Sequence, residues 1–466
     1  MKKIINSIGI CVLLFAVSCS EKEPCEYETS ATNPPSSCVE NEFAGYMVFT
    51  QGSGSTGTDD FGLIFNTQNT FNAPLGQNWY DPSLGTSQLT AIHPAMWKKS
   101  VIGNVFGIAL DDSNGIYLSA SNIYFGLGYG AGDGSAGVYG IGGSAGIYYT
   151  NMSNPNVTST LVKTLNSASA NTVGTATIPS TGNSSFLGNV AYDKMNNQLF
   201  ATNGEDGRIY RINPTNGIVK SIFDPFVLDN GVAGRVLFGE QIWGIRTLVE
   251  NGITYVYFAR SVSYNANSQV GVKEIWSIQL DSNGEFMATE IGATKLFDDS
   301  ASSSVLQIAN VRGTRPFIMD IAFSSTGKRM MVAERGNPHN SQTFEYVRNG
   351  ATWIVGNNFY SGGEAIPGQA GQNAAGGVDY GNRRTSATSL ACDDIVWTTS
   401  NFMRPLNGNS DGLYGIQGIS AAGNSATVLN NNTTDLYIDY NNDTSTSDKG
   451  GIGDVEIFDS KCPCNN

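Results

Sequence analysis

The sequence predicts an all-β fold, a β-propeller with six blades. Three observations lead to this prediction: a repeated two-strand unit, many glycines and polar turn residues, and no helical periodicity over any long window. Each unit is a run of aliphatic and aromatic residues, a polar turn and a second β-rich run. Propeller blades bury their faces only against their neighbours, so a propeller leaves this kind of repetition in its sequence.

The unit recurs six times, which predicts six blades. The copies are FGIALDDSNGIYLSA from Phe106, LGNVAYDKMNNQLFATN from Leu187, WGIRTLVENGITYVYFAR from Trp243, MDIAFSSTGKRMMVAE from Met319, GGVDYG from Gly376 with DDIVWTTS, and YGIQGISAAG from Tyr414 with TDLYIDYN. Their first strands are short and carry small residues, which suits the crowded position around a central channel. Seven blades is the alternative, if residues 43–100 build a whole blade.

The two ends of the domain carry further strand-like segments. FGLIFNTQ begins at Phe61 and GDVEIFD begins at Gly453. Pairing of strands from both ends would remove an exposed sheet edge, so the sequence predicts a closing blade made from both termini. No proline-rich or charged linker divides the chain, and residues 43–466 are predicted to form a single propeller domain.

The first residues predict export. Lys2 and Lys3 precede an apolar stretch, residues 4–15, that is too short to span a bilayer, and Ala16-Val17-Ser18 forms a small-residue cleavage site. Residues 1–18 are therefore predicted to be a signal peptide. The following residues, 19–42, are rich in Ser, Thr, Pro and Glu and are predicted to be a flexible tether.

Cys19 directly after this site resembles the lipobox cysteine of bacterial lipoproteins, although Ala16 stands where that family most often has Leu. The resemblance implies diacylation of Cys19 and anchoring to a membrane without spanning it. Glu21 and Glu23 fit the acidic residues that often accompany export in such lipoproteins. We therefore expect an outer-membrane or cell-surface location. An ordinary cleaved signal followed by a chance cysteine is the alternative.

Composition excludes one class of partner. Charged residues make up 14% of the chain, 55 of 466 residues are glycine, and the formal net charge is −14. An acidic surface repels nucleic-acid phosphates, and the sequence has no basic stripe with interleaved aromatic residues. Nucleic-acid binding is therefore not expected.

Five cysteines remain after removal of the signal peptide and lipidation of Cys19. In an oxidising compartment these are candidates for disulfides: Cys25, Cys38, Cys392, Cys462 and Cys464. Cys25 with Cys38 would close a loop in the tether. Cys392 with Cys462 or Cys464 would tie the C-terminal end to the last blades. The Cys462-Pro-Cys464 spacing with no nearby histidine makes a weak metal-ligand set.

The repeated rhythm resembles the NHL and SMP-30-like propellers, and stretches such as VFGIALD, NGEDGRIYRI and GGVDYG resemble those of uncharacterised secreted bacterial propellers. The SMP-30-like resemblance implies a lactonase that holds a divalent cation in its channel. The residues that precede the inner hydrophobic strands are Gly107, Asn189, Gly244, Asp320, Gly377 and Gly415. Only Asn189 and Asp320 among them offer metal-binding oxygens, and Glu334 at the end of a second strand would supply a third. The alternative is that these side chains cap turns and bind backbone amides at the channel mouth.

A calcium site is predicted near the C-terminus, with a simple polar hairpin loop as the alternative. In DYNNDTSTSDKGGIGDVE, Asp439, Asn441 and Asp443 alternate as in the first half of a calcium loop, and Asp448 follows at the tenth position. Position twelve is Gly450, where an EF-hand has Glu. Such a Ca²⁺ ion would be structural.

Three function classes remain from the sequence. The first is a surface-anchored module that binds a glycan, a polymer or a partner protein through its loops. The second is an SMP-30-like metal-dependent hydrolase or lactonase, and the third is a structural or adhesive envelope component. A histidine-dependent site would need His93 or His339, both in loop-like contexts.

Overall fold

The structure is a computed structural model. It describes residues 42–51, 60–121, 139–155, 159–165, 187–204, 206–226, 241–265, 270–287, 294–295, 317–335, 341–350, 352–363, 371–384, 390–403, 413–424, 434–442 and 451–458. The predicted signal peptide, Cys19, and all but the last residue of the predicted tether lie outside these ranges. No helix in them is long and apolar enough to cross a membrane.

The fold is a six-bladed β-propeller in which every blade is a four-stranded antiparallel sheet. From the channel outwards, blade 1 contains β24 (Ile452–Ile457), β1 (Tyr46–Gln51), β2 (Gly62–Asn66) and β3 (Thr90–Ile92). Blade 2 contains β4 (Val105–Leu110), β5 (Gly115–Ala120), β6 (Gly146–Asn151) and β7 (Thr160–Thr164). Blade 3 contains β8 (Leu187–Asp193), β9 (Gln198–Asn203), β10 (Arg208–Ile212) and β11 (Val219–Phe223).

The second half of the chain builds the other three blades. Blade 4 contains β12 (Gln241–Glu250), β13 (Ile253–Asn265), β14 (Val270–Gln279) and β15 (Thr294–Lys295). Blade 5 contains β16 (Phe317–Phe323), β17 (Arg329–Arg335), β18 (Thr343–Asn349) and β19 (Thr352–Phe359). Blade 6 contains β20 (Ala374–Arg384), β21 (Leu390–Met403), β22 (Leu413–Ser420) and β23 (Leu436–Asp439).

Blade 1 closes the ring with strands from both ends of the chain. The C-terminal strand β24 pairs with β1, with Met47 opposite Ile457 and Phe49 opposite Val455. This confirms the prediction of six blades closed by the two termini. Residues 43–100 supply three strands of this blade, so they do not form a seventh blade.

One predicted repeat was assigned to the wrong place. YGIQGIS is β22, the third strand of blade 6, and it pairs with β21 through Val396 opposite Ile419. It is therefore not an inner strand, and Gly415 does not lie at an inner-strand position. The alternation of apolar and small residues marks any buried strand pair, which is why a third and fourth strand resembled a first and second. The missing inner strand is β24.

The core is divided among the blade junctions. One hydrophobic cluster fills each gap between neighbouring blades, with Phe49 and Trp397 between blades 1 and 6, for example, and Val48 and Ile116 between blades 1 and 2. Successive residues of a strand point to opposite faces, so β1 sends Val48 to one gap and Phe49 to the other. Each junction is thus a small core of its own.

Candidate functional site: a polar ring in the central channel

Each inner strand departs from regular pairing where it lines the channel. The register between the inner and second strands shifts in all six blades. Such bulges redirect side chains away from the sheet faces. Beside this irregularity each inner strand has one residue that directly precedes an aliphatic residue, and in order around the ring these are Asp454, Gly107, Asn189, Gly244, Asp320 and Gly377. A polar residue and a glycine therefore alternate from blade to blade.

The glycines provide the space that the polar residues occupy. A Cβ on Gly107 would lie 2.8 Å from the Cα of Asn189 and closer still to its Oδ1. A Cβ on Gly377 would lie 2.7 Å from the Cα of Asp454 in the next blade. Real Cβ atoms do not approach backbone this closely, so the inner strands can only meet here because every second one has no side chain.

Asn189 connects the three polar members of the ring. Its Nδ2 donates to Oδ1 of Asp320 at 3.3 Å, to Oδ2 of Asp454 at 3.4 Å and to the carbonyl of Met319 at 3.2 Å. Its Oδ1 accepts from the N–H of Val190 at 2.7 Å. The structure thus brings the predicted pair Asn189 and Asp320 together and adds Asp454, which was not among the predicted site residues.

The two aspartates of the ring bind backbone amides across blade junctions. Asp320 accepts from the N–H of its own next residue at 2.8 Å and from Val378 of blade 6 at 2.9 Å. Asp454 accepts from its own next N–H at 2.9 Å and from Ile108 of blade 2 at 3.2 Å. Both carboxylates therefore join their own inner strand to that of the following blade.

A second polar layer lies two residues further along the inner strands. Asp379 accepts from its own next N–H at 2.9 Å and from Ile457 of blade 1 at 2.8 Å. Arg246 reaches from blade 4 across the channel, where it forms an ion pair with Glu456 and lies 3.5 Å from Asp379. The Arg246 side chain is 25% exposed while that of Glu456 is 2% exposed, so the arginine is the more exposed partner of this ion pair.

Burial and crowding raise the carboxyl pKa values of this cluster. Burial raises the pKa of Asp320 to about 6 and that of Glu456 to about 7, against the opposing effect of Arg246. Burial together with the charges of Asp320 and Glu456 raises the pKa of Asp454 well above its usual range. The folded state therefore holds these protons more tightly than the unfolded chain, where carboxyls titrate near pH 4. The resulting stabilisation is complete below about pH 4 and is lost as the pH rises through 6 and 7.

The other side of the ring is closed by buried side chains. Phe106, Met319 and Arg335 are buried there. The guanidinium of Arg335 lies 5.8 Å from the centre of the Phe106 ring and donates to the carbonyls of Ala375 and Ile452. This arginine therefore ties blades 5, 6 and 1 together above the polar ring.

Glu334, the third predicted oxygen ligand, contacts a different group. It is buried, forms an ion pair with Lys273 of blade 4 and accepts from the N–H of Gln342 at 3.2 Å. Burial raises the pKa of Glu334 and lowers that of Lys273. The carboxylates that do cluster with Asp320 are Asp454 and Glu456, whose oxygens all lie within 4.8 Å of one another.

A sequence signal for Asp454 was present in the chain. Asn189, Asp320 and Asp454 each precede an aliphatic residue at the start of an inner strand, in NVAY, DIAF and DVEI. Treating the C-terminal segment as the sixth inner strand would have selected Asp454 directly. Arg246 carries no such signal, because its partners come from the opposite side of the ring.

The other predicted sites are described only in part. Asp439 is buried on β23 and its N–H donates to Asn78 Oδ1 at 3.0 Å, while Asn441 lies in the following turn. The remaining members of that predicted calcium loop, Asp443 and Asp448, lie outside the described residues, so this site stays a prediction. His93 Nδ1 lies 3.3 Å from an oxygen of Asp60, and His339 is outside the described ranges.

Cys392 on β21 is disulfide-bonded. The other four predicted disulfide cysteines, Cys25, Cys38, Cys462 and Cys464, lie outside the described residues. The predicted tie to the C-terminal end therefore stays a prediction as far as the partner is concerned.

No protein-family model matches the chain, and no curated protein matches it. Among solved structures, the periplasmic gluconolactonase of Pseudomonas aeruginosa is similar with 9% identity and a TM-score of 0.41, over 89% of this chain and 99% of that one. A protein from Lactobacillus plantarum has 10% identity and a TM-score of 0.40, over 89% of this chain and 100% of that one. A gluconolactonase from Xanthomonas campestris has 10% identity and a TM-score of 0.35, over 78% and 85%. At these values the likeness carries no information about activity.

Proposed function

We propose that this protein is a lipid-anchored β-propeller of the cell envelope that acts as a binding or interaction module for a glycan, a polymer or a partner protein. The observation that supports this function is how the channel carboxylates are used. Both oxygens of Asp320 and of Asp454 accept hydrogen bonds from backbone N–H groups of two blades. The centre of the propeller therefore serves to hold the blades together, and recognition is assigned to its surface.

The orientation of Asn189 supports the same conclusion. Its Oδ1 accepts a hydrogen bond from the N–H of Val190 and its Nδ2 donates to the carbonyl of Met319. These backbone contacts determine which end of the amide points into the cluster. That end is a donor. A cation needs oxygen lone pairs, and here the amide presents N–H groups to the carboxylates instead.

The second candidate function is a metal-dependent hydrolase. One observation favours it, the three carboxylate oxygens of Asp320, Asp454 and Glu456 within 4.8 Å of one another. A divalent cation does not fit the cluster as it stands, because it would displace backbone N–H donors from Asp320 and Asp454 and would meet the donating end of Asn189. No catalytic step is therefore assigned to these residues.

Lipid attachment to Cys19 is part of the proposal and has its own test. Metabolic labelling with an alkyne-bearing palmitate should mark the wild-type protein and should not mark Cys19→Ala. The unlabelled variant should leave the membrane fraction. Equal labelling of both proteins would refute the anchor.

The choice between binding module and hydrolase is tested on the purified full-length protein. Titration calorimetry with Ca²⁺ and with Mn²⁺, and lactone hydrolysis in their presence, are compared in the wild type, in Asp454→Asn and in a control, Asp112→Asn, at an exposed turn residue. We expect no hydrolysis by any of them, a lower melting temperature for Asp454→Asn alone, and retention of wild-type protein on a glycan array or on immobilised envelope polymers. Metal-dependent hydrolysis that Asp454→Asn abolishes and Asp112→Asn preserves would overturn the proposal.

A further inference from the structure

The outer edges of the blades are protected against pairing in different ways. β3 has only three residues, while β7 and β11 carry Lys163 and Lys220. All residues of β23 are buried, and Asn78 forms a parallel bridge to Tyr437 along its edge. Short strands, lysines and covering segments are the usual means by which proteins prevent edge-to-edge association.

Within the part of the chain that the structure describes, residues 352–356 of β19, the outer strand of blade 5, have none of these protections. β19 has eight residues, TWIVGNNF, with no charged residue and no proline. Ile354 is 49% exposed and Val355 is 70% exposed. Since neighbouring residues point to opposite faces, β19 presents one large aliphatic side chain on each face of the blade beside its free edge.

The strand is held firmly in this position. Trp353 is buried and its ring lies 5.9 Å from Phe323 and 6.4 Å from Tyr257, which fixes the N-terminal half of β19 against blade 4. At the other end the carbonyl of Asn358 accepts from the N–H of Asn424 of blade 6 at 3.3 Å. The open section of the edge is therefore residues 352–356, about 17 Å long for an extended strand.

We propose that residues 352–356 bind an extended, uncharged segment of another polypeptide as a fifth strand of blade 5. This inference rests on the proposed function as an interaction module and names a partner class for it. Backbone hydrogen bonds along the edge would supply affinity, and contacts with Ile354 on one face and Val355 on the other would favour β-branched side chains in the incoming strand.

A foreign segment fits this edge better than a second copy of the chain. Each copy carries a formal net charge of −14, so two propeller bodies repel each other on approach. Two rigid bodies that meet along five residues would also bury less than the roughly 1,200 Å² of a stable interface. A segment that extends from its own protein avoids both costs.

The test uses a fluorescein-labelled peptide, Lys-(Thr-Val)₄-Lys, as the probe and the full-length protein in a fluorescence anisotropy titration. We expect saturable binding to the wild type and at least about tenfold weaker binding to Val355→Lys, because a lysine at an edge opposes strand pairing. Ile222→Lys is the matched control. It places the same charge at an exposed aliphatic residue, 41% exposed, on an edge that already carries lysine, and its peptide binding should equal that of the wild type.

A second probe separates strand pairing from apolar adhesion. The same peptide with alternate backbone amides N-methylated lacks the donors of one edge and should not bind. Equal binding of the methylated peptide, equal binding to Val355→Lys, or the absence of wild-type binding would each overturn the inference, as would a wild-type dimer in sedimentation that Val355→Lys dissociates. Circular dichroism and melting temperature verify that the variants are folded.

Lactone hydrolysis together with intact peptide binding would overturn the proposed function alone, and retained glycan binding without peptide binding would overturn this inference alone.

Discussion

The alternation of polar residue and glycine around the channel makes Gly107→Ala a sensitive test of the ring. The added methyl group would lie 2.6 Å from Ser119 Oγ and 2.8 Å from the Cα of Asn189. A hydroxyl can rotate away, but the Cα of the next inner strand can only withdraw if blade 3 shifts by several tenths of an ångström. Close-packed interiors resist such shifts.

The expected magnitude follows from two contributions. Overpacking a buried site costs about 1–3 kcal/mol. Displacement of Asn189 also weakens its hydrogen bonds to Asp320 and Asp454, which adds about 1 kcal/mol. We therefore expect Gly107→Ala to lower the free energy of unfolding by about 2–4 kcal/mol in urea titrations followed by tryptophan fluorescence.

A control variant separates lack of space from backbone strain. Gly252 has φ +77° and an added Cβ there would meet open space. Gly252→Ala should therefore lower the free energy of unfolding only through the left-handed backbone conformation, by about 1–2 kcal/mol. Asn189→Gly removes the side-chain oxygen near the new methyl group but keeps the Cα, so adding it to Gly107→Ala should recover only the part of the lost stability that comes from the Asn189 side chain, which a double-mutant cycle measures. A cost below about 0.5 kcal/mol for Gly107→Ala would refute the packing argument.

Three further perturbations test the charges and the disulfide. The free energy of unfolding should fall as the pH rises from 5 to 8, by up to about 1.4 kcal/mol per pH unit for each extra proton the folded state holds, and the melting temperature should fall with it. Asp454→Asn should flatten this pH dependence, and parallel slopes for both proteins would contradict the assigned proton uptake. Glu334→Ala should lower the free energy of unfolding by about 3–5 kcal/mol in urea titrations, because it leaves Lys273 buried without its carboxylate. The double change Lys273→Met with Glu334→Leu should lower it by less, and an equal or larger loss in the double variant would contradict this. Cys392→Ser should lower the melting temperature under oxidising conditions and match the wild type in reductant, and a difference that persists in reductant would exclude the disulfide as its cause.

The sequence contained the fold in its local patterns and the site only in part. Alternating apolar residues and polar turns are local, and five of the six predicted repeats are the inner and second strands of blades 2 to 6. The sixth, YGIQGIS, is a third strand, and the closing blade was indicated by the strand-like segments near the two ends. Asn189 and Asp320 were also accessible, because both stand at the same point of a repeat. Asp454 was missed because its blade is assembled from opposite ends of the chain: DVEI resembles the start of the other inner strands, but its second strand, β1, lies at the other end of the domain. Glu334 was misleading for a related reason, since the residue it contacts belongs to a neighbouring blade.

The distribution of the carboxylate clamps explains why the channel is polar. Asp320, Asp379 and Asp454 each bind an amide of the following blade, and they do so at three successive junctions, from blade 5 to 6, from 6 to 1 and from 1 to 2. Two of these junctions border blade 1, the only blade held together by strands from both ends of the chain. Closing the ring there costs the chain entropy of a loop of almost its whole length, which continuous blades do not require. Two of the three polar clamps therefore lie at the junctions of the closing blade, and Asp454 and Glu456 on β24 account for two of the three raised carboxyl pKa values of the channel cluster.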